Sequence, residues 1–249
     1  MRKILTCLLF VCSTFFGYAC AAEVEVPLDK MPDRTNDQLA LQRGAKLFVN
    51  HCLNCHSASM IRYNRLQELG LSKEQIEKNL LFTADKVGKE MTVAMTTRSA
   101  KEWFGAAPPD LTIIARARGT DWLYTYLRSF YRDPSRETGW NNRVFPNVGM
   151  PHVLWELSGE RVMKEKTVPD PHDPSKMIKE FDGFEQVSTG LMTETEYDSA
   201  MADLVSFMSW MAEPQQNERV RLGVWVLIYL AFFTVLAWFL NKAYWKDIH

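Results

Sequence analysis

Cysteine is scarce in this chain: five residues in 249, at positions 7, 12, 20, 52 and 55. A structural zinc site needs four ligands in total, and no second C-x-x-C pair exists to supply them. An excess of one charge is also missing. The 29 basic side chains are matched by 30 acidic ones, so there is no basic field of the kind that nucleic acid requires. Strand-like alternation is sparse. There is no internal repeat and no low-complexity tract, which excludes solenoid architectures. Uncharged apolar runs are confined to the two ends.

The first run follows Arg2-Lys3, extends from Ile4 to about Tyr18, and gives way to Ala19, Cys20, Ala21 and Ala22. A charged start, a short greasy middle and a small-residue exit are the pattern of a secretory signal peptide, here residues 1–22. The run is short for a membrane span. A lipoprotein reading of Cys20 is disfavoured, because Gly17 and Tyr18 stand where a leucine and a small residue are wanted. Without this segment only Cys52 and Cys55 remain. The charge becomes 27 basic against 30 acidic, a mild acidity compatible with a basic protein partner.

The second run, Leu222 to Leu240, is nineteen residues without a charge. As a helix it covers about 28 Å, close to the hydrocarbon thickness of a bilayer. Arg219, Arg221, Lys242 and Lys246 flank it, with Trp225, Trp238, Tyr244 and Trp245 at interfacial positions. Residues 219–241 are therefore expected to be a transmembrane anchor, embedded in lipid. The signal peptide orients it: body 23–218 outside, tail 242–249 in the cytoplasm.

Between the ends four helices are legible. Asn36 or Asp37 caps the first, which carries Leu41, Gly44, Ala45 and Phe48 and runs into Cys52. Ser72 and Gln75 form a capping box for a second, through about Leu81. Thr120 or Asp121 opens a third, with Leu123, Leu127 and Phe130 on one face. Thr193 and Glu196 box the fourth, whose stripe is Tyr197, Met201, Leu204, Val205, Met208 and Met211, ending before Pro214. Segment 159–190 is charge-rich and broken by prolines; it reads as a solvated insertion, a loose hairpin.

Cys52-Leu53-Asn54-Cys55-His56 is the sharpest signal, the C-x-x-C-H pattern of covalent haem attachment. Positions i, i+3 and i+4 of a helical turn share a face. Two thiols can reach the vinyl groups of one porphyrin while the adjacent imidazole reaches the iron. A redox-active C-x-x-C needs no histidine directly after it. For the sixth ligand, eleven methionines remain after the initiator. Most sit at helical spacing and read as core fillers, Met201, Met208 and Met211 among them. Met150 differs, lying in the loop Pro146-Asn147-Val148-Gly149-Met150-Pro151. His51, beside an attachment cysteine, is expected to point away from the iron. His152 and His172 remain rivals on spacing alone.

These residues, with Ala107-Pro108-Pro109-Asp110-Leu111, Ala115-Arg116-Ala117-Arg118-Gly119, Val148-Gly149-Met150-Pro151, Trp210-Met211-Ala212-Glu213-Pro214 and the C-terminal span, resemble the cytochrome c1 family. Its members are the haem subunits of the ubiquinol–cytochrome c reductase (bc1) complex, and the form is that of Gram-negative bacteria. The resemblance implies a mainly α, class I cytochrome c-like haem domain with insertions, plus one C-terminal transmembrane helix. Gly44 and Phe48 would pack the first helix on the last. One haem c would be attached through Cys52 and Cys55, with His56 and Met150 as metal ligands. Arg118, and less readily Arg116, would meet a propionate, and Pro109 and Leu111 would line the pocket. Trp122 stands where relatives place a propionate-binding tyrosine. The implied partners are cytochrome b, a Rieske iron–sulfur protein as donor, and a soluble or membrane-bound cytochrome c as acceptor. The implied location is the inner (plasma) membrane, single pass, with the haem domain in the periplasm.

N-terminal sequencing of protein extracted from membranes should begin at Ala22 or Glu23. Recovery of Met1 would contradict export and the orientation that depends on it.

Overall fold

Two helices from opposite ends of the body meet at one glycine. In the computed structural model, which describes residues 26–170, 173 and 175–246, helix α1 (Gln38–Leu47) crosses the long helix near the end of the body at Gly44. A Cβ at Gly44 would lie 2.2 Å from the Asp203 carbonyl oxygen and 2.7 Å from Phe207 Cβ. Only glycine lets the two backbones approach this closely. Phe48 and Phe207 continue the contact with rings 5.6 Å apart, and Trp210 stacks on Phe207 at 5.7 Å. The expected packing of Gly44 and Phe48 against the last helix of the body is thus observed.

The chain order explains the remaining elements. Asp37 caps α1 by accepting from the N–H groups of Leu39 and Ala40. The helix then widens into a π-turn, Phe48–Cys52. Strand β1 (Ala58–Arg62) leads into a 3₁₀ segment, Tyr63–Leu69, closed by Gly70 at φ 77°. Helix α2 (Lys73–Asn79) starts with the expected Ser72/Gln75 box. Strand β2 (Glu90–Met91) pairs antiparallel with β1. Helices α3 (Thr97–Phe104), α4 (Ile114–Arg118) and α5 (Thr120–Leu127) follow. Strands β3 (Phe130–Arg132) and β4 (Trp140–Asn142) form a second antiparallel pair, and α6 (Trp155–Ser158) is a single turn. A long hairpin, β5 (Arg161–Pro169) with β6 (Met177–Gln186), precedes α7 (Glu194–Ala212) and α8 (Gln216–Tyr244).

Helix α7 opens with the expected Thr193/Glu196 box and is the axis of the core. Packing on both sides buries Ala202, Asp203, Ser206, Phe207 and Trp210 besides the six stripe residues. The stripe is broader than expected because α1 covers one side of α7 while α4 and α5 cover another. Asp203 is the buried charge in this contact. It accepts from Arg34 and Arg43, each at 2.6 Å. Removing the carboxylate would leave two cations against a buried helix face.

Three expectations need correction. Phe130 does not extend the third helix: α5 ends at Leu127 and Phe130 begins β3. Segment 159–190 is not loose. It is a regular antiparallel hairpin with one bulge between Lys164 and Glu165. Its charges pair across the strands, Lys179 with Glu165 at 2.9 Å, Lys164 with Glu185 at 3.1 Å and Lys166 with Glu180 at 3.4 Å. Exposed pairs of this kind contribute little individually, but they are compatible with strand register. A cation–π contact from Arg143 to Phe181 (3.9 Å) joins the hairpin to the body, as does Arg161 Nε, which donates to Phe130 O at 2.9 Å; within the hairpin Arg161 also lies 4.2 Å from the Phe184 ring. The last helix is also longer than the expected 219–241. Its 29 residues continue into the polar flanks, where the backbone hydrogen bonds of the apolar run are completed. None of α8 is buried against the body, and its length and composition suit a single membrane crossing. The signal segment 1–22 and His172 lie outside the described residues.

Gly44→Ala should lower stability by about 1–3 kcal/mol, since the added methyl meets backbone rather than a flexible side chain. A thermal melt should show a midpoint roughly 2–10 °C lower. An unchanged midpoint would mean that α1 and α7 can separate without loss.

Candidate functional site

The π-turn at the end of α1 redirects the chain. Leu53 N–H donates to Phe48 O at 3.0 Å; Cys55 and His56 N–H both donate to Cys52 O, at 3.1 and 2.9 Å. This tight wrap places Cys52, Cys55 and His56 on the wall of a single cavity of about 420 Å³, within the size range of cofactor pockets. The same lining carries Met150 with Val148 and Pro151. Leu123, Tyr126 and Leu127 come from α5, Leu204 and Met208 from α7, and Pro108, Pro109 and Leu111 from the intervening loop.

His56 is oriented by a backbone oxygen. Its Nδ1 lies 2.7 Å from Pro109 O. A carbonyl only accepts, so Nδ1 carries the proton and Nε2 keeps its lone pair for a metal. Burial lowers the His56 pKa, partly opposed by the Pro109 hydrogen bond and by Asp110, which favours the neutral ring. Pro109 is itself pinned. Leu111 N–H donates to Ser57 O at 2.8 Å. Asp110 accepts from Ser59 N–H and Thr112 N–H, each at 2.8 Å, and from the Thr112 hydroxyl at 2.5 Å. Burial alone would raise the Asp110 pKa; these hydrogen bonds outweigh it and hold the carboxyl below the usual range.

The two cysteines are free thiols. Burial, with Cys55 adding to it, pushes the Cys52 thiol up to about 12. A redox dithiol works through a depressed thiolate pKa, the opposite of what is found here. Zinc is disfavoured as well: among the described residues no three His, Cys, Asp or Glu side chains are grouped to hold a metal. The donor set does fit a haem. Two thiols and an imidazole line a largely apolar slot whose lining also includes the Met150 thioether.

Met150 is carried by a loop held on asparagines. Asn142 Oδ1 accepts from Val144 and Phe145 N–H, at 2.9 and 3.1 Å, while its Nδ2 donates to Tyr126 O at 2.8 Å. Asn141 Oδ1 accepts from Asn147 N–H at 2.8 Å, and Asn147 adopts φ 63°, a left-handed turn. Tyr126 Oη donates to Met150 Sδ at 3.4 Å. Asn141 and Asn142 were not among the sequence-derived site residues. Two adjacent amides two residues after a glycine were the available signal.

The rivals separate by position. His152 is buried away from the cavity, stacked on Phe130 at 4.9 Å, edge-on to Trp140 at 5.1 Å and bonded through Nε2 to Ser158 Oγ at 2.8 Å. Burial, with Arg161 adding to it, drives its pKa down to about 3. His51, expected to point away from the iron, borders the cavity beside Cys52. Met208 is buried as a core residue, and it also reaches the cavity wall. Arg118 lies at the rim, its guanidinium 5.1 Å from the Trp122 ring and 5.9 Å from Phe145. Arg116 is not on the cavity lining; it turns to Glu213 at 3.6 Å.

Comparison with known proteins agrees with this geometry. The cytochrome c1 family profile matches residues 29–248. Cytochrome c1 of Allochromatium vinosum is 46% identical over 217 residues, 86% of each chain. A Nitrosomonas europaea protein named ammonia monooxygenase gamma subunit is 45% identical over 225 residues, 90% of each. Cytochrome c1 of Rhodospirillum rubrum is 27% identical over 239 residues, covering 85% of this chain and 83% of its own. A chain of a solved hyperthermophilic respiratory Complex III aligns over 100% of both chains, at a TM-score of 0.44 and 17% identity, too loosely to bear on the fold. The match along nearly the whole body and anchor, together with the apolar cavity behind C-x-x-C-H, shows that this chain belongs to the cytochrome c1 family, electron-carrying haem c subunits of the bc1 complex that are not catalytic alone.

Proposed function

We propose that this chain holds one haem c through thioether links at Cys52 and Cys55, with His56 Nε2 and Met150 Sδ as axial ligands. The observation that carries this reading is the His56–Pro109 hydrogen bond, which frees Nε2 toward the cavity that Met150 also lines. The bound haem supplies a one-electron ferric/ferrous couple. The protein's own residues set its surroundings. Leu111, Leu123, Leu127 and Leu204 exclude water, and Pro109 fixes the imidazole plane. Arg118, at the rim, is placed to offset a propionate, a role that Arg116 cannot share while it faces Glu213.

Within the membrane complex, electrons would arrive from a Rieske iron–sulfur protein and leave to a soluble or membrane-bound cytochrome c, with cytochrome b beside α8. The body would stand in the periplasm and α8 in the lipid of the inner membrane. The interfacial aromatics at both ends of α8 and the leader-like residues 1–22 support that placement. A second reading has one specific observation in its favour. The name of the Nitrosomonas europaea relative suggests service to a monooxygenase, with the same haem and a different partner. Copurification with a quinol-oxidising complex separates the two.

Met150→Leu keeps most of the side-chain volume and removes the sulfur. Covalent attachment should survive. The low-spin spectrum should be lost, and the reduction potential should fall by more than the 59 mV that a tenfold change in ferrous-to-ferric ratio represents. Met208→Leu should leave spectrum and potential nearly unchanged. The reverse pattern would make Met208 the ligand.

A further inference from the structure

We propose that residues 29–34 form a clasp that swings off the outer side of α5 while the core stays folded, and that its closed position holds this helix, one wall of the cavity, in place. Helix α5 is used on two sides. Trp122, Leu123, Tyr126 and Leu127 line the cavity. Asp121 and Thr125, one turn apart, meet the clasp instead, as does Arg128 just past the helix end.

The clasp is an irregular segment that precedes α1. Asp29 N–H donates to Thr125 Oγ1 at 2.8 Å, and Met31 N–H to Asp121 Oδ1 at 2.9 Å. The Asp29 carboxylate accepts from Arg128 at 2.7 Å. Lys30 pairs with Asp121 at 3.1 Å, but it is solvated and the pair is weak. The Met31 side chain is buried in the core, where its sulfur accepts from Ser206 Oγ of α7 at 3.8 Å. Met31 therefore touches both helices. Among the described residues no main-chain to main-chain hydrogen bond joins residues 29–33 to the body. Every bond there involves a side chain, so the segment can lift without breaking a helix or a sheet ladder. Segments held in this way open at the low end of a protein's stability range.

Arg34 is the fixed end. Its guanidinium donates to Asp203 at 2.6 Å and to Ser199 Oγ and O at 2.9 and 3.1 Å. Its N–H donates to Ser206 Oγ at 3.1 Å. Releasing it would strip the buried Asp203 carboxylate of one of its two partners. Residues 29–31 are the arm. Pro32, with its φ fixed and no N–H to bond, lies between arm and pin. Lifting the arm withdraws Met31 from the core and frees Asp121 and Thr125, while Arg34 and the α1–α7 crossing stay bonded. The cavity wall then loosens in a body that remains folded, which gives the cavity a route for being filled.

The test is hydrogen–deuterium exchange on the full-length holoprotein in lipid nanodiscs, read by mass spectrometry at residue level. Asp121→Ala removes the acceptor of the Met31 N–H. Thr125→Val removes that of the Asp29 N–H and keeps the side-chain shape. Met31→Ala withdraws the buried side chain and alters no residue of α5. Each variant should speed exchange of both arm amides, Asp29 and residue 31, by about 5- to 30-fold. The α5 amides 123–127 should exchange several-fold faster in all three. Arg34 N–H and the amides of α1 should keep their wild-type rates. If Asp121→Ala and Thr125→Val each speed only the amide whose acceptor was removed, the arm does not move as a unit and the proposal is overturned. It is overturned equally if Met31→Ala leaves α5 at its wild-type rate, or if α1 accelerates in step with the arm, since opening is then global unfolding.

Discussion

The close approach of α1 and α7 at Gly44 is the constraint on which the site depends. Because the backbones touch there, the C-terminal end of α1 has one position relative to α7. The π-turn that follows must then deliver Cys52, Cys55 and His56 toward Leu204 and Met208. Asp203 lies at the same crossing and accepts from Arg34 and Arg43, so the N-terminal approach to α1 is fixed by the residue whose carbonyl faces Gly44. A cavity assembled from several separate stretches of chain needs a shared reference, and this crossing supplies it.

Around that reference each donor is held by backbone as much as by side chains. The Pro109 carbonyl accepts from His56, and Asp110 and Leu111 tie that carbonyl to Ser57 and Ser59, immediately beyond His56. The C-x-x-C-H turn and the Pro-Pro-Asp-Leu loop are thus one hydrogen-bonded unit. The Met150 loop hangs on Asn141 and Asn142, whose buried amides both donate and accept. Preorganisation of this kind lets a metal change oxidation state without the protein moving.

What could be read from sequence followed from short-range chemistry. The boxes at Ser72/Gln75 and Thr193/Glu196 are local hydrogen-bond patterns and formed where expected. Cys52, Cys55 and His56 are contiguous, and Met150 stood out because its loop lacks helical periodicity. The parts that were not legible depend on tertiary contacts. The 161–186 hairpin looked like solvated loop because its lysines and glutamates obscure alternation, yet those charges pair only once the strands are in register. His152 was inseparable from Met150 by spacing; its ring stack on Phe130 and its bond to Ser158 remove it from the cavity. Arg116 and Arg118 are two residues apart on α4, and only the position of Glu213 on a distant segment tells them apart.

Covalent attachment at the C-x-x-C-H turn is the central claim, and a haem stain on a denaturing gel tests it most directly. Protein produced with haem-attachment machinery should show a stained band that resists denaturation and acidic extraction. The Cys52→Ala, Cys55→Ala double variant should lose it. An unstained wild-type band, or staining that persists in the double variant, would contradict the attachment and the electron-transfer role built on it.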